Sequence, residues 1–221
     1  MDPVRRPLLA LLFVLAACAP RPLAPEARYL GGALRGLELA PGPALLLEVR
    51  VAFQNPNPFP LPLSAFGTRL RVGGVAVPLD LTLPPGEKEV ALPVRLTPGE
   101  ALEAARALLS TEGVEVALEG EVLGQRLTFF RARLALPLKP VQVRWEGNSL
   151  LLENPNPIPL RAEGLLTLLG QRLAVRVDLP ARGEGRLWVE GLRLGLEGGR
   201  PRLELWLEVP GFLRQALILE L

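Results

Sequence analysis

The side chains of this 221-residue chain that could do chemistry are few, and their types narrow the possibilities quickly. There is no histidine and only one cysteine, Cys18, so an imidazole base, a serine–histidine pair and a zinc site of the usual histidine or cysteine kind are all excluded. After Asp2 the only aspartates are Asp80 and Asp178, which occupy matching places in two similar halves. Matched positions suit local hydrogen-bond acceptors near a turn better than one converging acid pair. Glutamate is plentiful, and composition leaves a carboxylate dyad of the glycosidase kind open. The glutamates alternate with arginine along strand-like runs, however, which is the pattern of a solvated charged face. Gly73-Gly74 and Gly198-Gly199 fall between strand patterns with no helix start to receive a phosphate. No cofactor or metal is expected, and no catalysis.

Two other groups of residues stand out. The run NPNPFPLPL at residues 55–63 recurs ninety-nine positions later as NPNPIPL at 154–160. Proline fixes its own φ, lacks an amide hydrogen and pushes the preceding residue into extended conformations, so alternating Asn-Pro cannot continue a strand ladder. The chain must leave a sheet at both places. Asn55, Asn57, Asn154 and Asn156 can tie the exits down, since an asparagine amide bonds nearby backbone groups that have lost ladder partners. A ligand-binding loop is the competing reading of the boxes; calcium is disfavoured because no carboxylate cluster flanks either. Trp188 and Trp206 form the second group. Strand parity sends Leu187 and Val189 inward and Trp188 outward, and likewise Leu203, Leu205 and Leu207 inward and Trp206 outward. Such a pair could serve a client protein, a lipid interface or a sugar, or could pack against the other half or under a loop.

The elements that must position these residues are strands. Residues 45–53 place Leu45, Leu47, Val49, Val51 and Phe53 on one face, and Phe66, Thr68, Leu70 and Val72 repeat the pattern before a Gly73-Gly74 hairpin turn. Val90, Leu92, Val94 and Leu96 follow in the same way. The only convincing helix begins at Thr97-Pro98-Gly99-Glu100, a predicted capping box with proline at the first helical position. Its apolar stripe is Leu102, Ala105, Leu108 and Leu109, more often core cover than a partner groove, and Gly113 follows its end. Strands without long intervening helices exclude a parallel sheet. The expected architecture is all-β: two tandem antiparallel β-sandwiches of the immunoglobulin or fibronectin III type, the first at 37–139 with one short helix, the second and shorter at 140–221. In the second, GLRLGLEGGRPRL stands in place of the helix.

Residues 1–17 read as an export signal, with Arg5 and Arg6 followed by an apolar run too short to span a bilayer. LAAC at 15–18 resembles the lipobox of bacterial lipoproteins, in which Cys18 would carry the lipid and become the first mature residue. Removal of 1–17 takes Arg5, Arg6 and Asp2 from the 25 basic and 23 acidic side chains and leaves a net charge of +1. That balance, with arginine and glutamate interspersed, excludes a phosphate-tracking surface and so a nucleic-acid partner. Residues 18–36, rich in proline, alanine and glycine without two-residue alternation, read as a tether.

A strand, an NPN box, a Pro/Leu-rich exit and a glycine-turned hairpin together resemble the water stress and hypersensitive response (WHy) domain of late embryogenesis abundant type 2 proteins. Asn55, Pro56 and Asn57 match the box once, and Asn154, Pro155 and Asn156 match it again. The resemblance covers residues 37–137 well and 141–221 less fully, the missing second helix being the main departure. It implies a sandwich fold and a protective role under drying, heat or cold without a cofactor. With Cys18 it further implies a lipid-anchored protein of the cell envelope, with unfolded client proteins, membrane or an envelope complex as partners. A structural adaptor or spacer, or a glycan-binding module, is the alternative expectation.

Overall fold

The computed structural model describes residues 22–122, 125–168, 170–188 and 201–220. Residues 1–17, where an export signal is expected, together with Cys18, Val189 and Gly198-Gly199, lie outside the described residues. Alternation along β2 (Ala44–Asn55) buries Leu45, Leu47, Val49, Val51 and Phe53, with Arg50 and Gln54 on the solvent side. Burying five such side chains from one strand supplies about 1.5–3 kcal/mol each, which is what commits this run to the centre of a sheet. β2 pairs antiparallel with β1 (Glu26–Glu38) on one side and β7 (Gly86–Leu96) on the other. The facing sheet runs β5-β4-β8-β9, from β4 (Arg69–Val72), β5 (Val75–Pro78), β8 (Val114–Val122) and β9 (Gln125–Leu134). A two-residue bridge between β3 (Leu61–Pro62) and β6 (Thr82–Leu83) closes the proline-rich exit. Leu70, Val72, Val116 and Leu118 meet the β2 side chains across the interior.

The segment read as a tether instead contributes β1, which corrects the expected boundary at residue 37. Glu26 through Glu38 pairs with the whole of β2, interrupted by register shifts at Tyr29/Gly31 and Leu34/Gly36. Each shift inserts a residue and flips the side-chain parity, so the two-residue period that marks a strand is erased in the sequence. The glycines that made the segment look like a linker serve packing. A Cβ on Gly32 would lie 2.8 Å from the Leu134 side chain of β9, so glycine is what lets β1 lie against that strand. Tyr29 also meets Phe130 of β9, with ring centroids 5.8 Å apart.

Helix α1 (Pro98–Leu108) crosses one end of this sandwich and buries Ala101, Ala105 and Leu108, with Leu109 just beyond and Leu102 half-buried. Its start differs from the expected capping box. The Thr97 hydroxyl bonds the Glu100 carboxylate at 3.0 Å rather than a backbone N–H, and Ala101 departs from helical dihedrals. The backbone carbonyl of Thr97 instead accepts from the N–H groups of Glu100 and Ala101. Gly73 in the β4–β5 turn permits the helix to approach, because a Cβ there would stand 2.5 Å from that of Ala104.

The second half repeats the plan. β10 (Gln142–Glu146), β11 (Ser149–Glu153) and β14 (Glu184–Trp188) form a three-stranded sheet in the order β10-β11-β14. β12 (Leu160–Leu168), β13 (Gln171–Leu179), β15 (Arg202–Val209) and β16 (Leu213–Glu220) form the facing sheet in the order β13-β12-β15-β16. Among the described residues both halves have seven principal antiparallel strands arranged three against four, so the chain is a tandem pair of immunoglobulin/fibronectin III-like sandwiches. The three-stranded sheet is much shorter in the second copy, five residues in β11 against twelve in β2. Gly164 of β12 allows the closest strand approach, since a Cβ there would fall 1.9 Å from the Glu204 carbonyl oxygen of β15.

The two sandwiches meet at the α1 end of the first. Arg106 of α1 donates from Nε to the Phe212 carbonyl at 3.1 Å, and Gly211 in the β15–β16 turn packs on Pro43 and Pro98. The connecting segment is tied down as well: the N–H groups of Leu136 and Leu138 donate to the Leu108 and Leu109 carbonyls at 2.7 and 3.2 Å. Those carbonyls end a helix and have no partner within it, so the linker satisfies what the helix leaves open.

Candidate functional site

The four box asparagines are buried, and their side chains form the same network twice. Asn55 Nδ2 donates to the carbonyls of Phe59, Leu83 and Pro84 at 2.9–3.2 Å, and its Oδ1 accepts from the Asn57 backbone N–H and Nδ2 at 3.0 and 2.9 Å. Asn154 Nδ2 donates to the Ile158 and Pro180 carbonyls at 2.8 and 2.9 Å, and its Oδ1 accepts from Asn156 N–H and Nδ2, each at 3.0 Å. Apart from Leu83 in the short β6, the acceptors are carbonyls in the proline-rich segments outside the ladders. In each box the first asparagine ties the exit loop to the turn opposite it.

The second asparagine of each box reaches further. Asn57 exchanges two hydrogen bonds with the backbone of Leu23, Leu23 N–H to Oδ1 at 2.8 Å and Nδ2 to the Leu23 carbonyl at 2.9 Å. Asn156 does the same with Lys139, at 2.7 and 2.9 Å. Leu23 precedes β1 by three residues and Lys139 precedes β10 by three, so each box clamps the entrance of its own sandwich. No sequence signal marks these partners, which lie 34 and 17 residues away. The two boxes do not meet. The second faces Gly32–Leu34 of β1 across a cleft, and Val49, the partner of Gly32, is six residues from Asn55 along β2, about 20 Å at strand rise.

Trp188 and Trp206 are exposed, at 73% and 47% of their surface. They do not form one patch. Trp188 ends β14 in the three-stranded sheet and Trp206 sits in β15 of the facing sheet, so their outward faces point to opposite sides of the second sandwich. Each carries a cation over its ring, Arg186 at 5.6 Å from the Trp188 centroid and Arg214 at 5.1 Å from that of Trp206.

The remaining charges are arranged as surface pairs. Arg161 with Asp178 and Arg176 with Glu163 bridge the neighbouring strands β12 and β13, Arg186 of β14 reaches Glu146 of β10 across β11, and Arg144 pairs with Glu146 along β10, all within 4 Å on solvent faces. Such pairs contribute about 0–1 kcal/mol each. Glu48 is held below the ordinary carboxylate range by its hydrogen bonds from Arg35. Burial pushes the Tyr29 hydroxyl up. Among the described residues no three carboxylate or thiol side chains converge as a metal site would require. Asp178 bonds Arg161 at 3.2 Å across β12 and β13, and Asp80 is exposed elsewhere, so the two aspartates do not converge.

No family model matches this chain, and no curated protein does. Solved structures similar to it include the YadV chaperone, 13% identical over 89% of this chain and 100% of that one, with a TM-score of 0.29. Another is the E. coli chaperone DraB, 13% identical over 91% and 100%, with a TM-score of 0.28. At such TM-scores the superposition is too loose to transfer a role.

The junction between the sandwiches holds a cleft of about 640 Å³. Gly32, Ala33 and Leu34 of β1 form one wall, the linker from Ala135 to Lys139 the floor, and Pro155, Asn156, Pro157 and Arg182 the other wall. Arg182 is the only non-glycine described with a left-handed backbone, φ 51°, and its N–H donates to the Asn156 carbonyl at 2.8 Å. Neither the cleft nor this arginine was singled out by residue pattern, because the cleft needs three segments that are separate in sequence.

Proposed function

We propose that the chain is an envelope-anchored, non-catalytic protective lipoprotein that acts by surface binding to partly unfolded proteins or to membrane under drying or temperature stress. Its anchor would be diacylglycerol on Cys18, cut free from residues 1–17. The observation that carries this reading is the repeated NPN box: each sandwich has the strand, box and hairpin arrangement that resembles the WHy domain. The amide groups of the box asparagines brace the fold, so the protective role is assigned to the outer faces. There the exposed Trp188 and Trp206 supply apolar area with an N–H donor, one on each side of the second sandwich.

The test is suppression of aggregation. A soluble form beginning at Ala19, dried with an aggregation-prone enzyme, is expected to preserve more soluble enzyme than an inert protein of equal mass. Because the two rings face apart, Trp188→Ala and Trp206→Ala should each remove part of the effect and the double variant more than either. Protection no better than that of the inert protein would end the proposal. A second reading, an adaptor of fixed geometry in an envelope assembly, is favoured by the hydrogen-bonded linker and by the Arg106–Phe212 contact, which suit a spacer. Crosslinking in intact envelopes separates the two: many substoichiometric clients fit protection, and one stoichiometric partner fits the adaptor.

A further inference from the structure

The internal repeat provides a control for the cleft at the junction. Equivalent positions in the two boxes are fixed by hydrogen bonds: Leu23 answers to Lys139, since each exchanges two bonds with the second asparagine of its box. Pro84 answers to Pro180, since each carbonyl accepts from the Nδ2 of the first asparagine, which sets Gly86 against Arg182, both left-handed. Where the first box has Leu23 and Gly86, the second therefore has lysine and arginine. Both cations line the cleft, and no carboxylate side chain does. Arg182 also occupies a left-handed conformation that glycine would adopt without strain, and which costs another residue about 1–2 kcal/mol. A strained residue with a charged side chain at the mouth of a concavity points to use of that side chain.

The rest of the lining is apolar: Leu34, Leu136, Leu138, Ala33 and Ala135, with Pro137, Pro155 and Pro157. The volume is within the range of small-molecule sites, and junctions between units are a common place for them. Pro137, Pro155 and Pro157 have no N–H, and the N–H groups of Leu136, Leu138, Lys139, Asn156 and Arg182 are already spent within the fold, so the floor and the far wall have little to offer the carbonyls of a peptide or the oxygens of a phosphate. A guanidinium matches a carboxylate through paired N–H groups, and a lysine adds a second positive charge. We propose that the cleft between the two sandwiches binds a long-chain carboxylate, with the head at Arg182 and Lys139 and the hydrocarbon along Leu34, Leu136 and Leu138. This site is independent of the protective role and of Cys18.

Calorimetric titration of the soluble form beginning at Ala19 with oleate, oleyl alcohol and lysophosphatidate tests it. Lys139→Ala keeps the backbone groups that bond Asn156, and Arg182→Gly relaxes the left-handed position, so the paired variant should fold as the parent does; its melting temperature checks this. Saturable one-to-one binding of oleate is expected, at least tenfold weaker in the paired variant, with oleyl alcohol weaker and equal in both. Lys88→Ala with Arg126→Ala, cations that do not line the cleft, should leave oleate binding unchanged. Absence of saturable oleate binding, equal oleate binding by the folded paired variant, or tighter binding of lysophosphatidate than of oleate would each overturn the assignment.

Discussion

Asn154 shows how much a single side chain can hold in place. Its replacement by alanine would strand the carbonyls of Ile158 and Pro180 and the N–H of Asn156 in a buried setting. Each unsatisfied group costs about 1–3 kcal/mol, so Asn154→Ala is expected to lower stability by at least about 3 kcal/mol in a denaturant titration. Asn148→Ala, on the exposed β10–β11 hairpin, should stay within about 0.5 kcal/mol. Equal tolerance of the two changes would mean that the box network carries no stability. Thr68 offers the opposite sign. Its hydroxyl is buried with no hydrogen-bond partner among the described residues, so Thr68→Val should raise stability by about 1 kcal/mol; a loss would show that the hydroxyl is satisfied in solution. For Glu48, whose carboxyl is held low by Arg35, the stabilisation is present above the ordinary value of 4.5 and is lost as pH falls through the depressed one. Thermal melts of Glu48→Gln should therefore differ from the parent at neutral pH and converge with it in acid, and the difference should shrink in high salt. At this scale the sequence singles out the box asparagines as braces and places the two tryptophans on outer faces, because their types are unusual for where they fall. It does not reveal Leu23, Lys139 or Arg182, whose importance comes from partners brought in by the fold.

Strands were legible wherever the two-residue period ran unbroken. β2 and β4 bury the residues that alternation selects, and β7 and β15 bury them except for Val90 and Leu207, which are half-buried. β1 was hidden for the same reason inverted: two register shifts and three glycines remove the period, although the strand is among the longest in the chain. Glycine in a strand can therefore mean close approach or nothing at all, and the structure distinguishes the cases. Gly36→Ala in β1 meets open space and should be neutral or mildly stabilising. Gly164→Ala in β12 would drive a methyl group into the Glu204 carbonyl and should cost more than about 3 kcal/mol or prevent the second sandwich from folding. Comparable melting temperatures for these two variants would contradict the packing of β12 on β15. Helix α1 was legible from its stripe, but its start was not, since the Thr97 hydroxyl turns to the Glu100 side chain instead of the backbone.

The molecule as a whole is held by few but specific ties between its halves. The duplication could be read from the paired boxes, whereas the docking could not, because it depends on Pro43, Pro98 and Arg106 meeting a turn more than a hundred residues away. The cleft, the clamp on Lys139 and the satisfied end of α1 all rest on one claim: the linker is part of the structure and the two sandwiches form a single braced body. Hydrogen exchange over residues 135–140 tests it most directly. The N–H groups of Leu136, Leu138 and Lys139 donate to Leu108 O, Leu109 O and Asn156 Oδ1, so their exchange should be slowed far below that of a free peptide, and Asn156→Ala should release Lys139. Exchange at the free-peptide rate in the parent protein would contradict the braced body and leave two independent sandwiches on a string.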